Sequence, residues 1–202
     1  GFGKMSHIYH EFIMERICRG RFRDQERPIL INNWEATYFD FDEDKIAAIA
    51  EKAAQVGVEL MVLDDGWFGK RNDDHTSLGD WFVNEEKLPK GLDSLVKRVN
   101  DLGMKFGLWF EPEMISPVSE LYKAHPDWCL HVEGRFRTEG RYQLVLDLSR
   151  EDVCEYIIET LSKVLSSANI EYIKWDMNRS MTEIGSAFWS AEHQREVAHR
   201  YM

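Results

Sequence analysis

Val58-Glu59-Leu60-Met61-Val62-Leu63-Asp64-Asp65-Gly66-Trp67 is the stretch whose reading decides the fold. The apolar run Val58 to Leu63 is continuous rather than alternating, as a strand buried on both faces requires, and it ends abruptly on two carboxylates, a glycine and a tryptophan. Before it, Asp44 to Val56 places Ile46, Ile49, Ala50 and Ala53 at helical spacing, and Gly57 supplies a helix-ending residue. After it, Leu92 to Leu102 repeats the helical pattern through Leu92, Leu95, Val96 and Val99, closed by Gly103. Outward from this core, Ile29 to Ile31, Lys105 to Phe110 and Glu171 to Trp175 read as three more strands. A helix through Val153, Ile157, Leu161 and Val164 precedes the last of them, opened by a capping box of Ser149 and Asp152. Strands alternating with helices predict an α/β fold of four parallel βα units, with the helices covering the sheet. Met5, Ile8, Tyr9, Phe12 and Ile13 predict a helix from Met5 to Cys18 with one buried stripe; a basic connector, Arg19 to Arg27, follows. Trp128 to Leu148 breaks the pattern, and its turn signals at Val132 to Arg135 and Thr138 to Gly140 predict an inserted hairpin-like segment over one end of the sheet. Trp189 to Met202 reads as a final helix.

The 202 residues carry 25 Lys plus Arg against 36 Asp plus Glu, a net charge of −11, and 44% are hydrophobic. A phosphate backbone rewards clustered cations, and none occurs, so nucleic acid and anionic membrane surfaces are expected not to be partners. No apolar run reaches the roughly 18 residues a membrane span needs, and Gly1 to Ser6 lacks the charged-then-apolar pattern of a secretory leader. The three cysteines, Cys18, Cys129 and Cys154, are far apart and form no CxxC pair, which points to a reducing cytoplasm rather than a disulfide framework. About 200 residues lie at or below the lower end for a complete (β/α)8 barrel, typically roughly 250, so the chain is expected to be part of a larger one.

In parallel α/β folds the chemistry sits at the carboxyl ends of the strands. The residues there are Asn33-Trp34-Glu35, Asp64-Asp65-Gly66-Trp67, Trp109-Phe110-Glu111-Pro112-Glu113 and Trp175-Asp176-Met177-Asn178. Every strand delivers a tryptophan and at least one carboxylate to one rim. Carboxylates accept hydrogen bonds from hydroxyls, indole faces lie against the apolar face of a sugar ring, and paired carboxylates perform glycoside hydrolysis. Other readings fall away. Asp40, Asp42, Asp44 and Glu51 partly match a calcium loop, but Lys45 stands where its glycine belongs, so the cluster reads as charge at a helix N-terminus. His7 with His10, and His125 with His131, lack the further ligands of a metal site, and no metal or organic cofactor is expected. A GxxxxGK phosphate loop and a GxSxG elbow are both missing.

Arg27 to Ala36 (RPILINNWEA), Leu63 to Phe68 (LDDGWF), Leu108 to Met114 (LWFEPEM) and Tyr172 to Arg179 (YIKWDMNR) together resemble the motifs of bacterial α-galactosidases of glycoside hydrolase family 36. The resemblance implies the first half of a (β/α)8 TIM barrel, residues 23–202, preceded by a linker helix in residues 1–22, with the inserted segment near 128–148. It also implies a β-sandwich before and a smaller β domain after the catalytic barrel, and a homo-oligomer, a tetramer in that family. By the same resemblance Asp176 is the nucleophile that forms a covalent galactosyl-enzyme intermediate. Asp64, Asp65 and Lys174 hold galactose hydroxyls, Trp34 and Trp109 shape the subsite, and Arg141 adds a contact from the insertion. The general acid/base belongs to a later barrel strand, beyond Met202. Glu111 and Glu113, flanking Pro112, read as wall residues.

The implied activity is retaining, exo-acting hydrolysis of α-1,6-linked galactosides such as melibiose and raffinose-type oligosaccharides. Two other readings stay open at this point: transfer of galactose to another sugar, as raffinose synthases do, and a half-barrel that only binds carbohydrate.

Overall fold

The computed structural model describes residues 1–202. Four strands, β1 (Leu30–Asn32), β2 (Leu60–Leu63), β3 (Lys105–Phe110) and β6 (Tyr172–Trp175), form one parallel sheet in chain order. The sequence places these strands within one or two residues at each end. Between them come α3 (Glu43–Gln55), α4 (Leu92–Asp101) and α6 (Glu151–Leu165). Parallel crossovers are right-handed, and here each advances one strand in the same direction, so all three helices fall on one face. Their buried stripes are Ile46, Ala47, Ala50 and Ala53; Leu92, Leu95, Val96 and Val99; and Val153, Ile157, Leu161 and Val164. These pack with Met61, Leu63, Phe106, Leu108 and Phe110 into one apolar core. The opposite face is open: Leu30 is 41% and Tyr172 39% exposed, and β1 and β6 have unpaired outer edges.

Gly107 shows how tightly the open face is set. In register it lies beside Val62 and Tyr172, and a Cβ there would meet Tyr172 Cδ1 at 2.9 Å and Val62 Cγ2 at 3.0 Å. Only a residue without a side chain lets β2, β3 and β6 keep this spacing.

Several expected elements differ. The first helix, α1, runs Phe2–Phe12 and passes into a wider turn at Ile13–Ile17, and none of its residues is buried. Its stripe exists, but Met5, Ile8, Tyr9 and Phe12 are 49–60% exposed, because nothing in the chain packs on them. The capping box at α6 does not form. Arg150 is the N-cap, and the Ser149 hydroxyl bonds the buried Asp147 carboxylate two residues before it instead. Only Val197–Tyr201 of the final segment is α-helical (α7), preceded by a single tighter turn at Gln194–Glu196. The inserted region carries antiparallel bridges of its own, Cys129 with Leu146 and Gly140 with Gln143, and its β5 (Leu144–Val145) also pairs with β4 (Met114–Ile115) outside it. Before β4, a short helix α2 (Trp34–Thr37) follows β1; after it comes α5 (Glu120–Ala124). Asp42 caps α3 by accepting the Lys45 N–H at 2.8 Å, which is the helix-terminal role read for that acidic cluster. No helix is long and apolar enough to cross a membrane.

The Gly107 geometry yields a stability prediction. Gly107→Val is expected to destabilise the chain by about 1–3 kcal/mol through overpacking against Tyr172 and Val62, read from urea unfolding. An unchanged midpoint would show that the sheet can spread to admit a side chain.

Candidate active site

Side chains alternate across a strand, so the parallel register decides which residues meet on the open face. Trp109 pairs with Lys174, and one step on, the Asp176 N–H donates to the Phe110 carbonyl at 2.8 Å, extending the ladder past β6. Asn32, Asp64, Trp109, Lys174 and Asp176 are thereby brought to one place. Lys174 Nζ donates to Asp64 Oδ2 at 2.7 Å, and the Asn32 amide donates to the same oxygen. The Asp64 N–H donates to Asn33 Oδ1 at 2.8 Å, so the carboxyl end of β1 positions the carboxyl end of β2.

Asp176 is held by three N–H donors. Trp109 Nε1 and Asn178 Nδ2 reach Oδ2 at 3.0 and 2.8 Å, and the Met177 N–H reaches Oδ1 at 3.0 Å. Donors to both oxygens fix the carboxylate's orientation, while the side chain stays half-buried and reachable. Behind it lies Glu111, fully buried, whose Oε1 accepts the Asn178 N–H and whose Oε2 accepts the Gln143 amide at 3.3 Å. Burial pushes the Glu111 carboxyl above its ordinary range, Asn178 works against this, and the nearby Asp176 charge adds to it. Glu113 is tied to Trp175 Nε1 at 2.9 Å and to the Tyr201 hydroxyl at 2.7 Å. Both glutamates are committed to protein partners in a turn about Pro112.

Asp65 is also buried, and its partner is a buried guanidinium. Arg71 grips it with Nε on Oδ1 at 2.9 Å and Nη2 on Oδ2 at 2.8 Å, both side chains at least nine-tenths buried. Burial raises the Asp65 carboxyl, and Arg71 opposes the rise. Breaking such a pair by removing one partner typically costs about 3–5 kcal/mol. Gly66 follows at φ +102°, a conformation that favours glycine, and a Cβ there would meet Phe39, Lys87 and Phe41 at 3.1–3.2 Å. Its carbonyl accepts Lys87 Nζ at 2.9 Å; burial pulls that ammonium down to about 8.

The tryptophans divide. Trp34 is half-buried, edge-on to Tyr38 and Phe39, and Trp175 is 53% exposed, so both present surface at the rim. Trp67 and Trp109 are not rim residues in that sense: at 0% and 2% exposure they belong to an aromatic cluster with Phe68, Trp81 and Phe110. Trp67 Nε1 donates to the Trp109 carbonyl at 2.9 Å, which leaves Trp109 its indole N–H as the polar handle toward Asp176. Arg141 stands apart from these contacts, on an exposed turn with φ +52°. The turn itself is clamped, since Arg179 Nη1 donates to the Thr138 and Gln143 carbonyls at 2.6 and 2.8 Å. Sequence reasoning assigns no role to Asn32, Arg71, Lys87 or Asn178. Asn32 and Asn178 lie in the quoted strand-end motifs and so carry a signal; Arg71 and Lys87 sit in a loop without one.

The Melibiase family profile matches residues 1–202. α-Galactosidase AgaA of Geobacillus stearothermophilus is 69% identical over 202 residues, covering 100% of this chain and 28% of AgaA. α-Galactosidase Mel36A of Lactobacillus acidophilus is 54% identical over 202 residues, again 100% of this chain and 28% of the relative. A crystal structure of a substituted GH36 AgaA in complex with raffinose matches with a TM-score of 0.95 at 68% identity, over 100% of this chain and 28% of that one. The chain thus spans just over a quarter of the length of these relatives. With its whole length matched by the profile and its fold shared at this identity, the chain belongs to the Melibiase family, among the members of glycoside hydrolase family 36.

Proposed function

We propose that these residues form the first half of the (β/α)8 catalytic domain of a retaining, exo-acting α-galactosidase that hydrolyses α-1,6-linked galactosides. The observation that carries the reading is the Asp176 carboxylate, fixed by three N–H donors at the end of β6 on the same open face as the Lys174–Asp64 pair. An oriented carboxylate beside a cluster of hydroxyl-binding groups suits attack on the anomeric carbon of a bound sugar. The names of the relatives and the raffinose bound to one of them support galactosides as substrates, because raffinose ends in an α-1,6-linked galactose.

In this reading Asp176 Oδ1 or Oδ2 attacks C1 as the glycosidic bond breaks, giving a covalent galactosyl ester. The leaving oxygen takes its proton from an acid supplied by the rest of the protein, about 5 Å from Asp176 as retention requires. That residue, now a base, then activates the water that hydrolyses the ester. Asp64 and Asp65 accept hydrogen bonds from the axial 4-hydroxyl and the 6-hydroxyl, Lys174 donates to the sugar, Trp34 borders the subsite, and Arg141 reaches in from the clamped turn. The sheet's open face and unpaired edges support a barrel closed by further strands of the same protein. Residues 1–22 are the linker helix into that barrel. We also place the protein in the cytoplasm, as a homo-oligomer like the tetramers of its family.

Two substitutions in the full protein test the roles. Asp176→Asn is expected to lower kcat on melibiose by about 10⁴-fold or more with the thermal midpoint little changed; substantial remaining turnover would remove Asp176 as the nucleophile. Asp65→Ala is expected to lower kcat/KM for p-nitrophenyl α-galactoside by roughly 10²–10⁴-fold, because a site built to bond hydroxyls discriminates strongly. Equal cleavage of α-glucoside and α-galactoside by the unsubstituted enzyme would contradict the assignment of Asp64 and Asp65.

A further inference from the structure

Asp64 and Asp65 are neighbours in the chain, yet their cations differ in kind. Lys174, whose side chain is 39% exposed, touches the buried Asp64 through one ammonium contact of 2.7 Å, on the oxygen that also accepts the Asn32 amide. Arg71, whose side chain is 2% exposed, meets both oxygens of Asp65 with the two edges of its fork. Its remaining arm, Nη1, donates to the Thr76 carbonyl at 2.6 Å. Its backbone carbonyl accepts Lys87 Nζ at 2.9 Å, and the same ammonium bonds Gly66, the residue after Asp65, at 2.9 Å. The guanidinium also lies within 6.0 Å of the Phe39 and Phe68 ring centres. Every polar arm of Arg71 is therefore anchored, and the loop from Gly66 to Thr76 is closed around it.

A planar guanidinium on two carboxylate oxygens fixes the plane of the carboxylate, not only its charge. An ammonium in the same place would neutralise the charge and leave the plane free to turn. Arg71 takes one lone-pair direction of Oδ1 and meets Oδ2 with Nη2 at 2.8 Å and Nε at 3.2 Å, and the fork determines where the remaining lone-pair directions point.

We propose that Arg71 is a positioning residue for sugar recognition, locking the Asp65 carboxylate plane so that its free lone pairs face the substrate hydroxyls, with Lys87 holding the loop that carries Arg71. This rests on the reading of Asp65 as a sugar-binding carboxylate. The contrasting role, simple neutralisation of a buried charge, would be met by any cation.

The test uses the full protein and p-nitrophenyl α-galactoside. It measures kcat, KM and thermal midpoint for Arg71→Lys, Arg71→Ala, Asp65→Asn and the double variant Arg71→Lys with Asp65→Asn. Arg71→Lys is expected to fold and to lose about 10²-fold in kcat/KM, the scale of a displaced binding group. Adding it to Asp65→Asn should cost little more, since both act through one carboxylate. Methylguanidinium should restore part of the activity of Arg71→Ala; if that variant does not fold, Arg71→Lys and the double variant carry the test. Full activity of Arg71→Lys, losses that multiply in the double variant, or failure of Arg71→Lys to fold would each overturn the proposal. The outcomes separate it from the reading it rests on. An unsubstituted enzyme inert toward galactosides, or an Asp65→Asn variant with full activity, would overturn that reading and this proposal with it, whereas a silent Arg71→Lys beside an impaired Asp65→Asn would overturn this proposal alone.

Discussion

The pairing of β3 with β6 sets the geometry on which the site depends. With Trp109 opposite Lys174, the Lys174 ammonium reaches Asp64 across the sheet and the Trp109 indole reaches Asp176 one step further along. A slip of one residue would turn Lys174 and Asp176 toward the helices, because side chains alternate strictly in a strand. Gly107 protects this register by letting Val62 and Tyr172 close over it. The core behind the sheet then supplies rigidity: the Trp67, Phe68, Trp81 and Phe110 cluster packs under Trp109 and leaves its indole N–H little freedom except to point at the carboxylate.

The electrostatics follow a similar division. The chain is strongly acidic, and its rim gathers Asp64, Asp65, Glu111 and Asp176 within a small region. Each is tolerated because it has its own donors: an exposed ammonium for Asp64, a buried guanidinium for Asp65, backbone and side-chain N–H groups for Asp176 and Glu111. Burial without such partners would drive these groups neutral. The arrangement leaves Asp176 half-buried with Glu111 fully buried behind it, while Asp64 and Asp65 are both nearly enclosed beside their cations.

Much of this was legible in the sequence because the relevant signals are local. Continuous apolar runs ending on polar motifs located all four strands and the strand-end residues, and helical spacing located α3, α4 and α6. What escaped depends on contacts that residue spacing does not mark. Ser149 looked like a cap, but Asp147 holds its hydroxyl; the stripe of α1 looked buried, but this chain offers nothing to pack on it. Trp67 and Trp109 carried the composition of a sugar-binding rim, and both are buried among the nearby phenylalanines, Trp109 with its indole N–H still turned to Asp176. Arg71 and Lys87 had no periodicity or motif to mark them, and only the folded loop brings them to Asp65 and Gly66.

The central claim is that Asp176 is the atom-bearing group of a covalent intermediate, and trapping that intermediate tests it most directly. The full protein would be incubated with a slow-turnover fluorinated galactosyl fluoride, digested, and its peptides mapped by mass spectrometry. The account predicts one fluorogalactosyl adduct, on the peptide containing Tyr172 to Arg179 and localised to Asp176, accumulating as activity is lost. An adduct on Glu111, Asp64 or any other residue, or loss of activity without an adduct, would contradict it.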